Sequence, residues 1–196
     1  MKLPGISRAL RKLSTTLDKL HIEHMLIGGY ALTAYGQIRA TQDIDMAIVA
    51  DYERSTKLQA ELVRLGYQIP SPPSPEAPLF LVADVKMQLE LEMWTKPDGV
   101  VFDSDLLSRR VKVRPFADKF EIFVIGPEDF IVNKLARQDR GVQDEQDALS
   151  VLALQKGKLD YVYLRNRAKH ANVIGLLEML AEKTGRLHEE PQRHKR

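Results

Sequence analysis

Apolar residues recur every three or four positions over residues 6–20, at Ile6, Leu10, Leu13, Leu17 and Leu20, which predicts an amphipathic helix with a wet basic face. Residues 24–27 read as a short strand, Gly28 and Gly29 as a turn, and residues 30–35 as a brief helix ended by Gly36. A strand follows over 43–49, and Leu58, Leu62 and Leu65 mark a helix over 53–65 that stops at Gly66. Prolines in 70–78 predict a loop. Residues 79–82 form a continuous apolar run, and residues 85–94 alternate: Val85, Met87, Leu89, Leu91 and Met93 face one way, Lys86, Gln88, Glu90, Glu92 and Trp94 the other. A turn at 97–99, a short helix at 104–109 and strands near Val111 and over 121–125 complete this half. From Pro127, with Glu128 and Asp129 suited to a helix start, helical patterns dominate, including 160–169 and 173–180.

These elements predict an α+β fold: a small mixed β-sheet flanked by helices, with a helical C-terminal part. The expected divisions are an α/β core with its N-terminal helix over 1–125, a helical segment over 126–181 and a polar tail over 182–196. The chain is long enough, at 196 residues, to bury its own core. It contains no cysteine, which excludes thiol nucleophiles, disulfides and thiolate zinc sites, and it has no apolar run of membrane-spanning length. The expected location is the cytoplasm. A formal net charge of +2 does not announce nucleic-acid binding, so any polyanion contact has to be local.

Against this background, "DID" at 43–45 stands out, because residues two apart in a strand point the same way. Asp43 and Asp45 therefore present two carboxylates side by side while Ile44 and Met46 face the core. Adjacent like charges repel, and a hard divalent cation that takes oxygen ligands would relieve them; a solvated edge-strand face is the alternative. The Gly-Gly pair precedes Asp43 by fourteen residues, at a strand-to-helix junction where backbone N–H groups can approach phosphate.

The stretch "IGGYALTAYGQIRATQDIDMAIV" resembles the nucleotidyltransferase superfamily that includes DNA polymerase beta, whose signature is a hydrophobic residue, Gly-Gly or Gly-Ser, a gap, then Asp-hydrophobic-Asp. Its "R-x-T-x-D-I-D" form is similar to the minimal nucleotidyltransferases and the AbiEii toxin-like branch. The later block "IGPEDFIVNKLARQDRGVQDEQDALSVL" is similar to that branch's second motif, so the resemblance spans roughly residues 24–155. It implies transfer of a nucleoside monophosphate from an NTP to a hydroxyl, with two Mg2+ ions (Mn2+ as a substitute) about 3.5–4 Å apart. The implied metal ligands are Asp43, Asp45 and a third acid from the alternating run. Either Glu90 or Glu92 fits, with Glu90 taken as ligand and Glu92 as the outer or alternate acid, and glutamate stands here where many relatives carry aspartate.

The resemblance further places Gly28 and Gly29 at the triphosphate and Arg39 and Thr41 at phosphate or substrate contacts. Lys134, set among Ile131, Val132 and Leu135, is expected to bring its ammonium out at a cleft edge to meet a phosphate oxygen. Asp144 and Asp147 lie on one helical face and match the branch's Asp-x-x-Asp; they either orient the nucleotide or pair with Arg137 and Arg140. Trp94 and Tyr30 are candidates for base stacking or for packing. Acceptors implied by the family are RNA, in particular tRNA, a partner protein, or a small antibiotic-type molecule, and minimal members serve as toxin or antitoxin components with a cognate partner. A tRNA-modifying member would carry a basic groove beside the acids, built from the N-terminal helix with Arg109, Arg110 and Lys112. An inactive binding protein on the same fold is the contrasting reading.

Overall fold

A computed structural model describes residues 3–37, 43–115, 119–155 and 157–183. They fall in two compact units, one made of Met1–Pro97 and Val101–Gly126, the other of Asp98–Val100 and Pro127–Arg196.

The first unit is built on a seven-stranded mixed sheet in the order β3-β4-β5-β2-β1-β7-β6. Its strands are β1 (His24–Leu26), β2 (Asp43–Ile48), β3 (Gln68–Ser71), β4 (Leu79–Asp84), β5 (Leu89–Trp94), β6 (Val111–Val113) and β7 (Ile122–Val124). The pairs β2–β5 and β1–β7 are parallel and the remainder antiparallel. The helices of this unit are α1 (Leu3–Lys19), α2 (Gly28–Ala31), α3 (Tyr52–Arg64) and α4 (Ser104–Arg109), with a 3-10 turn at Leu32–Tyr35 after α2.

The stripe expected on α1 is the buried one: Ile6, Leu10, Leu13 and Leu17 are at most 3% exposed. Each such side chain contributes about 1.5–3 kcal/mol by leaving water. Register fixes the face that α1 covers. His24 pairs directly with Ile48, so both side chains point to one side of the sheet, and Ser14 of α1 hydrogen-bonds the His24 ring Nε2 at 2.8 Å. Alternation along β2 puts Ile44 and Met46 on that side with Ile48, all fully buried. The odd-numbered residues Asp43 and Asp45 therefore project from the opposite face.

Three local expectations need correction. Gly28 and Gly29 are the first turn of α2 itself. Residues 85–88 alternate like a strand but form the turn between β4 and β5: the Met87 N–H donates to the Asp84 carbonyl and carboxylate, both at 3.2 Å, and Gln88 takes φ +51°. An aspartate's readiness to bond the backbone of its own turn outweighs the apolar alternation there. Pro70 lies inside β3, an edge strand with an irregular register, where a missing N–H leaves no partner unmet.

The second unit is helical: α5 (Pro127–Ala136), α6 (Val142–Leu154), α7 (Tyr161–His170) and α8 (Ile174–Lys183). Residues Asp98–Val100 belong with it because Asn133 Nδ2 donates to the Asp98 carbonyl at 2.8 Å and the Gln138 N–H to its carboxylate at 3.2 Å. Gly99, at φ +69°, sits so close to α5 that a Cβ would come within 2.5 Å of Ala136 Cβ. Among the described residues no helix is long and apolar enough to cross a membrane.

Candidate active site

Parallel pairing of β2 with β5 matches Asp43 with Glu90 and Asp45 with Glu92, while the intervening Ile44 and Leu91 are both fully buried. All four carboxylates therefore share one face of the sheet. Asp43 and Glu90 are exposed; Asp45 and Glu92 are half-buried. Glu92 pairs in register with Asp45, whose carboxyl helps to raise that of Glu92. The Trp94 indole N–H, two residues along the same strand face, donates to Glu92 Oε2 at 2.9 Å.

Burial pushes the Glu92 carboxyl up to about 7, and the hydrogen bond and charge of Asp45 and the charge of Asp43 push the same way; the Trp94 N–H opposes them. Burial and crowding thus favour the protonated form of Glu92. A divalent cation answers the same crowding with more charge, and the donors on offer are hard carboxylate oxygens of the kind Mg2+ prefers. Among the described residues no group of three or more His, Cys, Asp or Glu side chains is arranged to hold a metal ion.

Gly28 closes the other side of this cluster. It takes φ +61°, and a Cβ there would lie 1.9 Å from Asp45 Oδ2. Only glycine leaves that carboxylate its place. The Ile27 N–H also donates to the Asp45 carbonyl at 3.0 Å, tying the start of α2 to β2. Gly29 follows as a buried residue of the same turn. Arg39 and Thr41 lie outside the described residues. Tyr30 is half-buried, and burial raises its hydroxyl above the ordinary tyrosine range.

In the helical unit Lys134 does not emerge at an edge. It is 3% exposed, and its Nζ lies 2.9 Å from Asp144 Oδ1 and 3.2 Å from Asp147 Oδ2. Burial works to raise the Asp144 carboxyl, but the hydrogen bond from Lys134, the Gly141 N–H and the nearby cations outweigh it and hold the carboxyl below its ordinary value. Gln143 Nε2 donates to Asp147 Oδ1 at 2.9 Å. Of the two arginines considered as partners, Arg137 is 3.9 Å from Asp144 and also grips Asp139, while Arg140 turns to Glu145 at 3.4 Å.

A second buried set in this unit is not foreseen from the sequence. Asp129, 1% exposed, accepts from the Tyr163 hydroxyl at 2.9 Å and pairs with Arg167 Nε at 3.3 Å, while Arg167 Nε also donates to that hydroxyl at 2.8 Å. Burial and the Asp129 charge push the Tyr163 hydroxyl upward. The i,i+4 spacing of Tyr163 and Arg167 is a usable signal; nothing in the sequence links either to Asp129, which precedes Tyr163 by 34 positions.

Comparison with known proteins places this geometry. No curated protein matches the sequence. Among solved structures, an antigenic nucleotidyltransferase-like protein from Paracoccidioides brasiliensis is 18% identical, with 94% of each chain covered and a TM-score of 0.56. The antibiotic-resistance factor ANT(2'')-Ia is 17% identical, with 92% of this chain and 98% of its own covered and a TM-score of 0.54. At such identities the likeness is one of fold. A family model, described as nucleotidyltransferase of unknown function (DUF6036), matches residues 1–183, and the chain with its two acid-bearing strands and glycine junction belongs to that nucleotidyltransferase family.

Proposed function

We propose that the protein is a metal-dependent nucleotidyltransferase that moves a nucleoside monophosphate from an NTP to a hydroxyl on RNA, such as a tRNA end, or on a partner protein, as in toxin-antitoxin pairs. The observation that carries this reading is the in-register run of carboxylates on β2 and β5, pressed against a glycine whose missing side chain is what gives Asp45 its room.

Asp43, Asp45 and Glu92 are the residues that would hold Mg2+, or Mn2+ in its place. The third position is given to Glu92, with Glu90 the alternate acid, because Glu92 pairs in register with Asp45 and is the glutamate whose carboxyl Asp45 raises. Bound divalent cations supply charge neutralisation at the triphosphate and activation of the attacking hydroxyl. Asp45 and Glu92 fix the geometry, the first through the backbone tie to Ile27 and the second through the Trp94 N–H. Gly28 and Gly29 present backbone without side chains to the triphosphate. Positioning and electrostatics carry such a reaction, so no cysteine or histidine nucleophile is required. Lys134 and Asp144 neutralise each other inside the helical unit, and their part in nucleotide binding is to hold that unit's shape.

The test is incubation with each α-labelled NTP and Mg2+, first on total RNA and then on a protein extract. Label should enter one of the two, and Asp43→Asn or Asp45→Asn should each lower incorporation by at least about 100-fold in a protein that still folds. Full incorporation by either variant, or none by a folded wild type, would defeat the assignment.

A further inference from the structure

Just past the ends of β2 and β5, at the first turn of α3, the sheet unit holds a cavity of about 250 Å3. Its walls are mostly apolar. Ala50, Leu79 and Phe80 line it from the sheet, and Pro73, Pro75 and Ala77 line it from the proline-rich segment that the sequence marks as a loop. That segment is tied down. The Thr95 and Lys96 N–H groups donate to the Pro78 carbonyl at 2.8 and 3.0 Å, Lys96 Nζ donates to the Pro75 carbonyl at 3.2 Å, and Ser74 Oγ donates to Glu76 at 2.6 Å. Prolines with fixed φ, held in this way, make a wall that is formed before any ligand arrives.

One buried polar atom on the lining has nothing to bond. Ser55, in the first turns of α3, is 2% exposed, and its hydroxyl has no hydrogen-bond partner among the described residues. A buried hydroxyl left in that state is costly, and alanine would fill the same place without the cost. The charges on the lining cancel, since Asp51 is its acid and Lys96 its base. Both are engaged: Asp51 caps α3 by accepting the Arg54 N–H at 2.8 Å, and Lys96 is bound to Pro75. The cavity therefore offers apolar walls, no net charge and one unmet buried hydroxyl.

We propose that this cavity is a binding site for a small neutral ring compound carrying one hydrogen-bonding oxygen or nitrogen, with the ring against the proline and Phe80 walls and the polar atom on the Ser55 hydroxyl. Size agrees. An apolar cavity of about 150 Å3 takes a benzene ring, drug-sized ligands need about 300 Å3 or more, and the 250 Å3 here lies between them. Water suits the site less, because a buried water needs two to four polar partners and these walls supply few. The site is separate from the proposed transfer chemistry. Phe80 pairs with Met93, so its ring lies on the sheet face opposite Glu92, and roughly 10 Å of extended chain separates Glu92 from Thr95. A single ring on Ser55 does not reach the carboxylates.

The test titrates phenol, toluene and benzoate separately into the full chain, without NTP or divalent cation, and follows backbone amide NMR shifts. Phenol and toluene have nearly the same shape and differ in the hydroxyl; benzoate adds a charge. Phenol should bind at millimolar concentration or tighter, with its largest shifts at Tyr52–Ser55 and Thr95, and about tenfold more tightly than toluene. Ser55→Ala should bring phenol down to the toluene level while keeping or raising the thermal midpoint. Ala77→Leu, which narrows the cavity from the loop side, should weaken phenol and toluene by at least about fivefold. Val63→Ala, on the exposed face of α3, should change neither. Equal affinity for phenol and toluene, phenol affinity unchanged in Ser55→Ala, benzoate bound more tightly than phenol, or shifts centred elsewhere would overturn the proposal. So would failure of all of these compounds to bind, which would leave water as the cavity's occupant.

Discussion

Two clusters of carboxylates, one in the helical unit and one on the sheet, sit in different surroundings among the described residues. In α5 and α6, Asp144 and Asp147 close on the buried ammonium of Lys134, and Asp144 is held below its ordinary value. On β2 and β5, Asp43, Asp45 and Glu92 crowd together, the donor to Glu92 is the neutral Trp94 N–H, and Glu92 is driven up to about 7. The first cluster is complete as it stands. In the second, burial and the neighbouring acids favour the protonated form of Glu92, and this is the cluster to which the proposed function assigns the cation.

The sharpest way to break that contrast is to remove the built-in cation. Lys134→Met should cost about 3–5 kcal/mol, read as a lower denaturant midpoint, because buried Asp147 and half-buried Asp144 lose their partner. Lys134→Met should lose far more stability than Asp45→Asn, which relieves repulsion and should leave the metal-free protein as stable or more so. Gly28→Ala comes next: a side chain at φ +61° driven into Asp45 should destabilise on the order of 1–3 kcal/mol and abolish transfer, with folding followed by circular dichroism and activity by label incorporation.

The pH dependence follows from Glu92. Its folded value lies above the ordinary carboxylate value of 4.5, so the folded state binds the extra proton between the two. This group's contribution is therefore fully present below about 4.5 and lost as pH rises toward about 7. Metal-free protein should lose thermal stability across that window. Glu92→Gln should flatten the loss, and Mg2+ should restore most stability at the alkaline end. Smallest is Arg137→Gln at the rim of the lysine cluster, where the 3.9 Å separation from Asp144 should change stability by no more than about 1 kcal/mol.

The same contrast explains what is legible in advance. Alternation in 43–49 and 85–94 is enough to place acids on one face of each strand, and the glycine pair with Asp-Ile-Asp points to the nucleotidyltransferase fold. That Glu90 lies beside Asp43 and Glu92 beside Asp45 is set by the register of β5 against β2, a property of two strands more than 40 residues apart that neither pattern encodes. Lys134 is hard to place for a related reason: an apolar neighbourhood is equally consistent with a lysine reaching solvent and with one neutralised internally, and its partners lie ten and thirteen residues on, across the turn to α6. The turn at 85–88 shows the limit from the other side, since Asp84 redirects a segment whose hydrophobic pattern says strand. Local periodicity reports faces faithfully and pairings hardly at all.

Trp94 is the chain's single tryptophan, and its indole N–H rests on the acid whose charge is most finely balanced. All of the molecule's long-wavelength intrinsic emission therefore originates at the edge of the carboxylate cluster. Binding of the proposed Mg2+ should therefore change that emission, with the unlabelled wild-type sequence serving as its own gauge.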